Sequence, residues 1–221
     1  MIRVRPMTVV ISGSSSGIGR ATALRFLESG HTVHGFDIAD STIDHPNYTH
    51  TIHDIREPLA QDDLLPHIII NSAGTLEEED ALDVNLTGTI RFTEHFCVSE
   101  HLRSILFIAS ASARNGAEFP FYVASKAGIV GYMKNLALSV ADRRITCNSI
   151  SPGGVITPAN EHILNDDRLY WQVLQETLLG KWAEAEEVAE LAYYLCVLNR
   201  SITGEDILMD NGEMLKSNFI W

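Results

Sequence analysis

Short apolar runs recur along the chain, separated by stretches in which apolar positions return every three or four residues. The runs Thr8–Ser12, His31–Phe36, Thr49–His53, His67–Asn71, Ser104–Ala109, Thr146–Ile150 and Asp206–Met209 predict seven strands, the third of them weak. Helical spacing predicts helices over Gly17–Ser29, Leu82–Glu100, Tyr122–Asp142 and Glu186–Leu198, the first of them ended by Gly30. Apolar strands that alternate with amphipathic helices make a parallel sheet covered on both faces. Right-handed crossovers then give an α/β, doubly wound, mostly parallel seven-stranded Rossmann fold. In such a sheet the ligand crevice lies at the carboxyl ends of the strands. No repeat or low-complexity linker interrupts the pattern, so residues 1–221 are expected to form one domain.

Composition adds exclusions. Hydrophobic residues make up 45% and charged residues 20% of the chain, as in ordinary globular proteins. Cys97, Cys147 and Cys196 are far apart and show no CxxC spacing. That favours free, buried thiols in a reducing, cytoplasmic compartment and argues against a metal site. No apolar stretch approaches the length of a membrane span, and no secretory h-region fits the first residues. A net charge of −13 without any basic block makes nucleic acid and anionic membrane poor partners.

The chemistry-bearing motifs fall where that crevice should be. Between the first strand and first helix stands Gly13-Ser14-Ser15-Ser16-Gly17-Ile18-Gly19. Glycines let the backbone approach a pyrophosphate, and the helix start presents unpaired N–H groups and a positive dipole end. Tyr122 and Lys126 are spaced i, i+4 and so share one helix face. A lysine charge beside a phenol favours the phenolate by about 4 kcal/mol at an effective dielectric near 20, enough to move a tyrosine from ~10 towards 7. Such a tyrosine can exchange an alcohol proton near neutral pH. Ser110, at the end of the fifth strand, is placed to hydrogen-bond a substrate oxygen, with Ser112 as a rival two residues on.

The glycine spacing GxxxGxG, with Ser12 before it, resembles the TGxxxGxG fingerprint of the short-chain dehydrogenase/reductase family. Further landmarks follow in order over nearly the whole chain: Asn71-Ser72-Ala73-Gly74, Asn85, Ser110, Tyr122-Val-Ala-Ser-Lys126, Ser151-Pro152-Gly153 with Thr157, and Ile202-Thr203-Gly204. The resemblance implies a nicotinamide-dependent oxidoreductase acting on a small alcohol or ketone, usually as a homodimer or homotetramer. It implies Tyr122 as the acid/base, Lys126 as its partner and ribose ligand, Ser110 as the substrate-oxygen donor, and Asn85 as holder of a helix kink and proton relay. It further implies cofactor contacts at Gly13, Ser15, Ser16, Gly17, Ile18, Gly19, Asn71, Ala73, Gly74, Pro152, Gly153, Val155 and Thr157, with Asp54 and Ile55 at the adenine.

Asp37 closes the second strand, 24 residues after Gly13. A carboxylate there accepts hydrogen bonds from ribose hydroxyls and repels a 2′-phosphate. The positions where NADP-using relatives carry a base hold Ser16 and Ile38-Ala39-Asp40. The cofactor expected is therefore NAD.

Two segments depart from the pattern. Only 16 residues separate Asp54 from Asn71, and Pro58 and Pro66 fall among them, which leaves room for a turn or two of helix. Only 10 residues separate Gly74 from Asn85, and they include the acidic run Glu77–Asp80, expected to be a solvated helix start. The segment 155–180 is expected to be a substrate lid. Substrate contacts are expected from Ser112, Glu118, Phe119, His162 and Trp171. The apolar tail Lys216–Trp221 is expected to dock, on the chain itself or a neighbouring subunit. A rival to the enzyme is an NAD(H)-binding regulatory or scaffold protein of the same fold, which would not require the Ser–Tyr–Lys set.

Overall fold

A computed structural model describes residues 5–60 and 63–216 of the chain. In chain order the elements are β1 (Thr8–Ser12), α1 (Gly17–Glu28), β2 (Thr32–Asp37), β3 (Tyr48–Ile52) and β4 (Ile68–Asn71). A π-helical turn, Leu82–Gly88, then runs into α2 (Thr89–Cys97), followed by β5 (Ser104–Ile108), α3 (Ser112–Asn115), α4 (Pro120–Ser139) and β6 (Thr146–Pro152). The chain continues through β7 (Val155–Ile156), α5 (Glu161–Leu164), α6 (Asp167–Leu174), β8 (Ala183–Glu184), α7 (Ala185–Tyr193) and β9 (Asp206–Met209). Seven strands form one sheet in the order β3-β2-β1-β4-β5-β6-β9, every pairing parallel. The order reverses between β1 and β4, the switch point at which a doubly wound sheet opens its crevice.

The two-residue period of the strands divides the core between the faces. Val9, Ile11, Ile68 and Ile70 pack with Phe26 of α1 and Val188 of α7. Val10 and Ile69, with Phe107, pack on the other face with Phe92 and Phe96 of α2 and Met133 of α4. Burial on both faces explains why these strands read as unbroken apolar runs. Cys147 and Cys196 are buried free thiols, and burial pushes the Cys196 thiol up to about 12.

Several boundaries differ from expectation. The expected helix Leu82–Glu100 is π-helical in its first half and ends at Cys97. The last helix likewise passes from α to π at Tyr194–Leu198. The helix expected from Tyr122 begins at Pro120, because proline suits a first helical position, where an N–H would be unpaired anyway. Between Asp54 and Asn71 the described residues form turns and no helix. A small parallel pair, β7 with β8, brackets the segment 157–182. Residues 217–221, where the tail was expected to dock, lie outside the described residues.

Candidate active site

The glycine loop is shaped by close backbone approaches. Gly13 has φ +71° and donates its N–H to the Phe36 carbonyl at 2.8 Å; a Cβ there would lie 2.6 Å from the Ala73 backbone. A Cβ on Gly19 would lie 1.9 Å from the Gly13 carbonyl oxygen. The buried Ser12 hydroxyl accepts the N–H groups of Ser72 and Ala73 at 3.2 and 3.3 Å, tying β1 to the end of β4. The Asp37 carboxylate accepts the Ser15 N–H at 2.9 Å and the Ala39 N–H at 3.0 Å. Asp37 is thereby fixed at the rim of a cavity of about 1050 Å³ that runs along the carboxyl ends of the strands.

That cavity brings together most of the residues expected from sequence. Gly13, Ser16, Gly17, Ile18, Gly19, Asp37, Asp54, Ile55, Ala73 and Gly74 line it. So do Ser110, Ser112, Glu118, Phe119, Tyr122, Lys126, Pro152, Gly153, Val155, Thr157 and His162. Four expected residues are elsewhere. Ser15 faces Asp37 through its backbone and gives its hydroxyl hydrogen to the Ala39 carbonyl at 3.0 Å. Asn71 points back into the core, donating to the Leu106 carbonyl at 3.3 Å and accepting from Thr93 Oγ1 at 3.1 Å. Asn85 lies beneath the wall, and Trp171 is 62% exposed, outside the cavity. The tryptophan that lines the cavity is Trp182, at 7% exposure, its ring against Gly154. The sequence reading missed it, because Trp182 lies two residues beyond the segment 155–180 expected to form the lid.

The Ser–Tyr–Lys set occupies one spot. Ser110 and Ser112 are both buried, with hydroxyls 2.6 Å apart, and the Ser112 N–H also donates to Ser110 Oγ at 3.2 Å. Ser110 Oγ lies at the strand end and Ser112 opens α3, so the two hydroxyls act as a coupled pair. Lys126 is buried, donates from Nζ to the Ile108 carbonyl at 3.0 Å, and lies 5.7 Å from the centre of the Tyr122 ring. Asn85, at the centre of the π-helical turn, clamps Thr75: its Oδ1 accepts the Thr75 N–H at 2.7 Å and its Nδ2 donates to the Thr75 carbonyl at 2.9 Å. The same Nδ2 donates to Ser125 Oγ at 3.1 Å, linking the turn to α4. A Cβ on Gly74 would meet Asn85 Oδ1 at 3.3 Å and Lys126 Nζ at 3.4 Å, so glycine lets these side chains close in.

The electrostatics differ from the expected downward tuning of Tyr122. Burial pushes the Tyr122 phenol up to about 12, opposed by a hydrogen bond with Ser110 and reinforced by the nearby Glu118 carboxylate. Burial brings Lys126 down to about 8, with Glu118 acting the other way. The physical reason is placement: the ammonium bonds the Ile108 carbonyl below the ring instead of flanking the phenol oxygen, while both groups are desolvated. Glu118 itself sits at φ +86°, and its carboxyl is raised by burial.

Arg56, unremarked in the sequence, lines the cavity, and Glu78 of the acidic run supports it from behind. Arg56 forks onto Asp54, Nη2 to Oδ2 at 2.7 Å, and reaches Asp80 at 3.0 Å. Its hydrogen bonds hold the Asp54 carboxyl below the usual range. Glu78 accepts the backbone N–H groups of Phe121 and Tyr122 at 3.1 and 3.2 Å. The acidic run leads by a turn into the helix and stays exposed at Glu77, Glu79 and Asp80, as expected, but Glu78 also anchors the first turn of α4 and Asp80 pairs with Arg56.

A family model described as "Enoyl-(Acyl carrier protein) reductase" matches residues 69–213. D-beta-hydroxybutyrate dehydrogenase of Rhizobium meliloti is 31% identical over 93% of this chain and 97% of its own. A 3-oxoacyl-(acyl-carrier-protein) reductase of Thermotoga maritima is 28% identical over 96% of this chain and 99% of its own. Among solved structures, 4-hydroxyisoleucine dehydrogenase complexed with NADH superposes with a TM-score of 0.83 at 27% identity, covering 95% of this chain and 99% of that one. Fold, glycine loop and matched length agree: the chain belongs to the short-chain dehydrogenase/reductase family, whose members are oxidoreductases that bind nicotinamide cofactors and act on small molecules.

Proposed function

We propose that the chain interconverts a small secondary alcohol and its ketone with NAD(H), using Tyr122 as the general acid/base. The observation that carries this reading is the convergence of Ser110, Tyr122 and Lys126 in the cavity that also holds the glycine loop and Asp37. A bound nicotinamide supplies or accepts the hydride. In ketone reduction the phenol of Tyr122 gives its proton to the carbonyl oxygen, while Ser110 donates a hydrogen bond to the charge that develops there. A phenol held near 12 is fully protonated at neutral pH, the form that reduction requires. In the oxidative direction the same oxygen must lose its proton first, so oxidation gains from alkaline pH. Lys126 holds positive charge beneath the ring and is positioned to bond the nicotinamide ribose. Asn85 stiffens the turn that carries Gly74 against Lys126.

Asp37 supports NAD over NADP, since its carboxylate faces the cavity from the end of β2 and would repel a 2′-phosphate. The arginine that lines the cavity, Arg56, is already engaged by Asp54 and Asp80. Residues 155–180 act as the substrate lid, with His162 from the lid and Glu118 and Phe119 from the loop before α4 facing the substrate. The chain works as a single catalytic domain.

Absorbance at the nicotinamide band, followed with NADH or NADPH and a panel of ketones, tests the reading. Wild type is expected to turn over with NADH preferred, and Tyr122→Phe to lose about 100-fold or more. Turnover undiminished in Tyr122→Phe would refute the assignment of Tyr122. Replacing Asp37 with Asn is expected to narrow the preference for NADH over NADPH.

A further inference from the structure

Four arginines from distant parts of the chain, Arg5, Arg103, Arg144 and Arg200, line a second cavity of about 570 Å³. It lies at the opposite end of the sheet from the catalytic cavity. Met7 and His67 precede β1 and β4, Arg103 precedes β5, and Arg144 and Thr146 open β6. Among the described residues, no Asp or Glu lines it. That is unusual in a chain of net charge −13 with only 16 Lys and Arg.

Three arginines elsewhere on the molecule are ion-paired: Arg25 with Glu190, Arg56 with Asp54 and Asp80, Arg114 with Asp206. Among the described residues, none of the four around this cavity has such a partner. Among the described residues, no hydrogen bond or ion pair engages the side chains of Arg5, Arg103 or Arg144. Arg200 is anchored by one nitrogen, donating from Nη1 to the Val197 and Asn199 carbonyls at 2.9 and 2.8 Å, which leaves its other donors available. His67 accepts the Thr8 N–H at Nδ1, 3.1 Å away, so its neutral ring carries its proton on Nε2 and adds a donor. Burial and the neighbouring Arg103 both favour that neutral form.

Like charges gathered in a concavity without counter-charges focus a positive field and repel each other, and a compact anion relieves both effects. The guanidinium fork matches phosphate oxygens two at a time. The cavity has the size of a small-molecule site, and the acidic remainder of the surface repels a polyanionic chain. We propose that this cavity binds a small anion of the diphosphate class, at a site separate from the one that carries the oxidoreductase chemistry.

The test is calorimetric titration of the full chain with inorganic pyrophosphate at low ionic strength. One saturable site per chain is expected, weakened at least about tenfold by Arg103→Gln combined with Arg144→Gln. Arg103→Lys with Arg144→Lys, which keeps the charge but loses the fork, is expected to fall between. Both side chains are exposed, so the melting temperature without ligand should stay near wild type; Arg144→Glu alone gives the same reading if the double variant is not recovered. Absence of saturable binding overturns the proposal. So does binding that the glutamine substitutions leave unchanged, which would assign the pyrophosphate to the glycine loop.

Discussion

Glu78 holds the backbone of Tyr122: its Oε1 accepts the Tyr122 N–H at 3.2 Å, and its Oε2 accepts the Phe121 N–H at 3.1 Å. These two N–H groups belong to the first turn of α4, where helical geometry supplies no partner. No residue adjacent in sequence caps that end, since Phe119 makes no side-chain bond to it. A carboxylate 43 positions away in sequence does the work of a cap and complements the helix dipole.

Glu78→Ala should therefore lower stability by about 1 kcal/mol and loosen the placement of Tyr122. In steady-state kinetics kcat is expected to fall about tenfold with KM for the cofactor unchanged, and Glu78→Gln to recover part of the loss. An unchanged kcat in Glu78→Ala, with only the melt affected, would show that Glu78 serves stability alone.

Ser112 should matter through Ser110. The 2.6 Å hydroxyl contact and the Ser112 N–H together fix the Ser110 oxygen, so its own hydrogen can be directed at the substrate. Ser112→Ala is expected to reduce kcat less than Ser110→Ala, by about tenfold against 100-fold or more. The reverse order in single-turnover measurements would exchange the two roles.

Lys126 gives a pH signature. Its pKa falls from 10.5 when unfolded to about 8 when folded, so between those values the unfolded chain binds more protons. Stability then rises with pH across that window through this group, and below pH 8 its buried charge is a full liability. Lys126→Met removes the effect. The stability of the variant relative to wild type should be greatest below pH 8 and decline by about 3 kcal/mol by pH 10.5. Urea melts at several pH values measure the difference directly, and a pH-independent difference would contradict the assigned burial of the charge.

Gly131 offers the opposite kind of test. It lies inside α4, where an added Cβ meets nothing within 4 Å. Gly131→Ala is expected to stabilise the chain by about 1 kcal/mol in thermal or urea melts. Gly19→Ala, by contrast, drives a methyl into the Gly13 carbonyl and should cost both stability and cofactor affinity.

The amino-acid sequence determined what short-range pattern can encode. Apolar runs gave the seven strands to within a residue or two, because burial on both faces leaves a contiguous signature that needs no knowledge of neighbours. The glycine loop and the Tyr122–Lys126 spacing were legible for the same reason: each is a local backbone requirement or a helical repeat. The rest depended on which distant segments meet. Tertiary structure alone placed Lys126 beneath the phenol ring and bonded it to Ile108, so that burial outweighs the expected downward shift of Tyr122. It also gave two members of the acidic run partners, Glu78 the first turn of α4 and Asp80 the side chain of Arg56, and chose Trp182 over Trp171 for the cavity wall. The same holds for Arg5, Arg103, Arg144 and Arg200. Scattered singly along an acidic chain, they form no basic block, and they become one field only because a parallel sheet gathers its strand starts at one end.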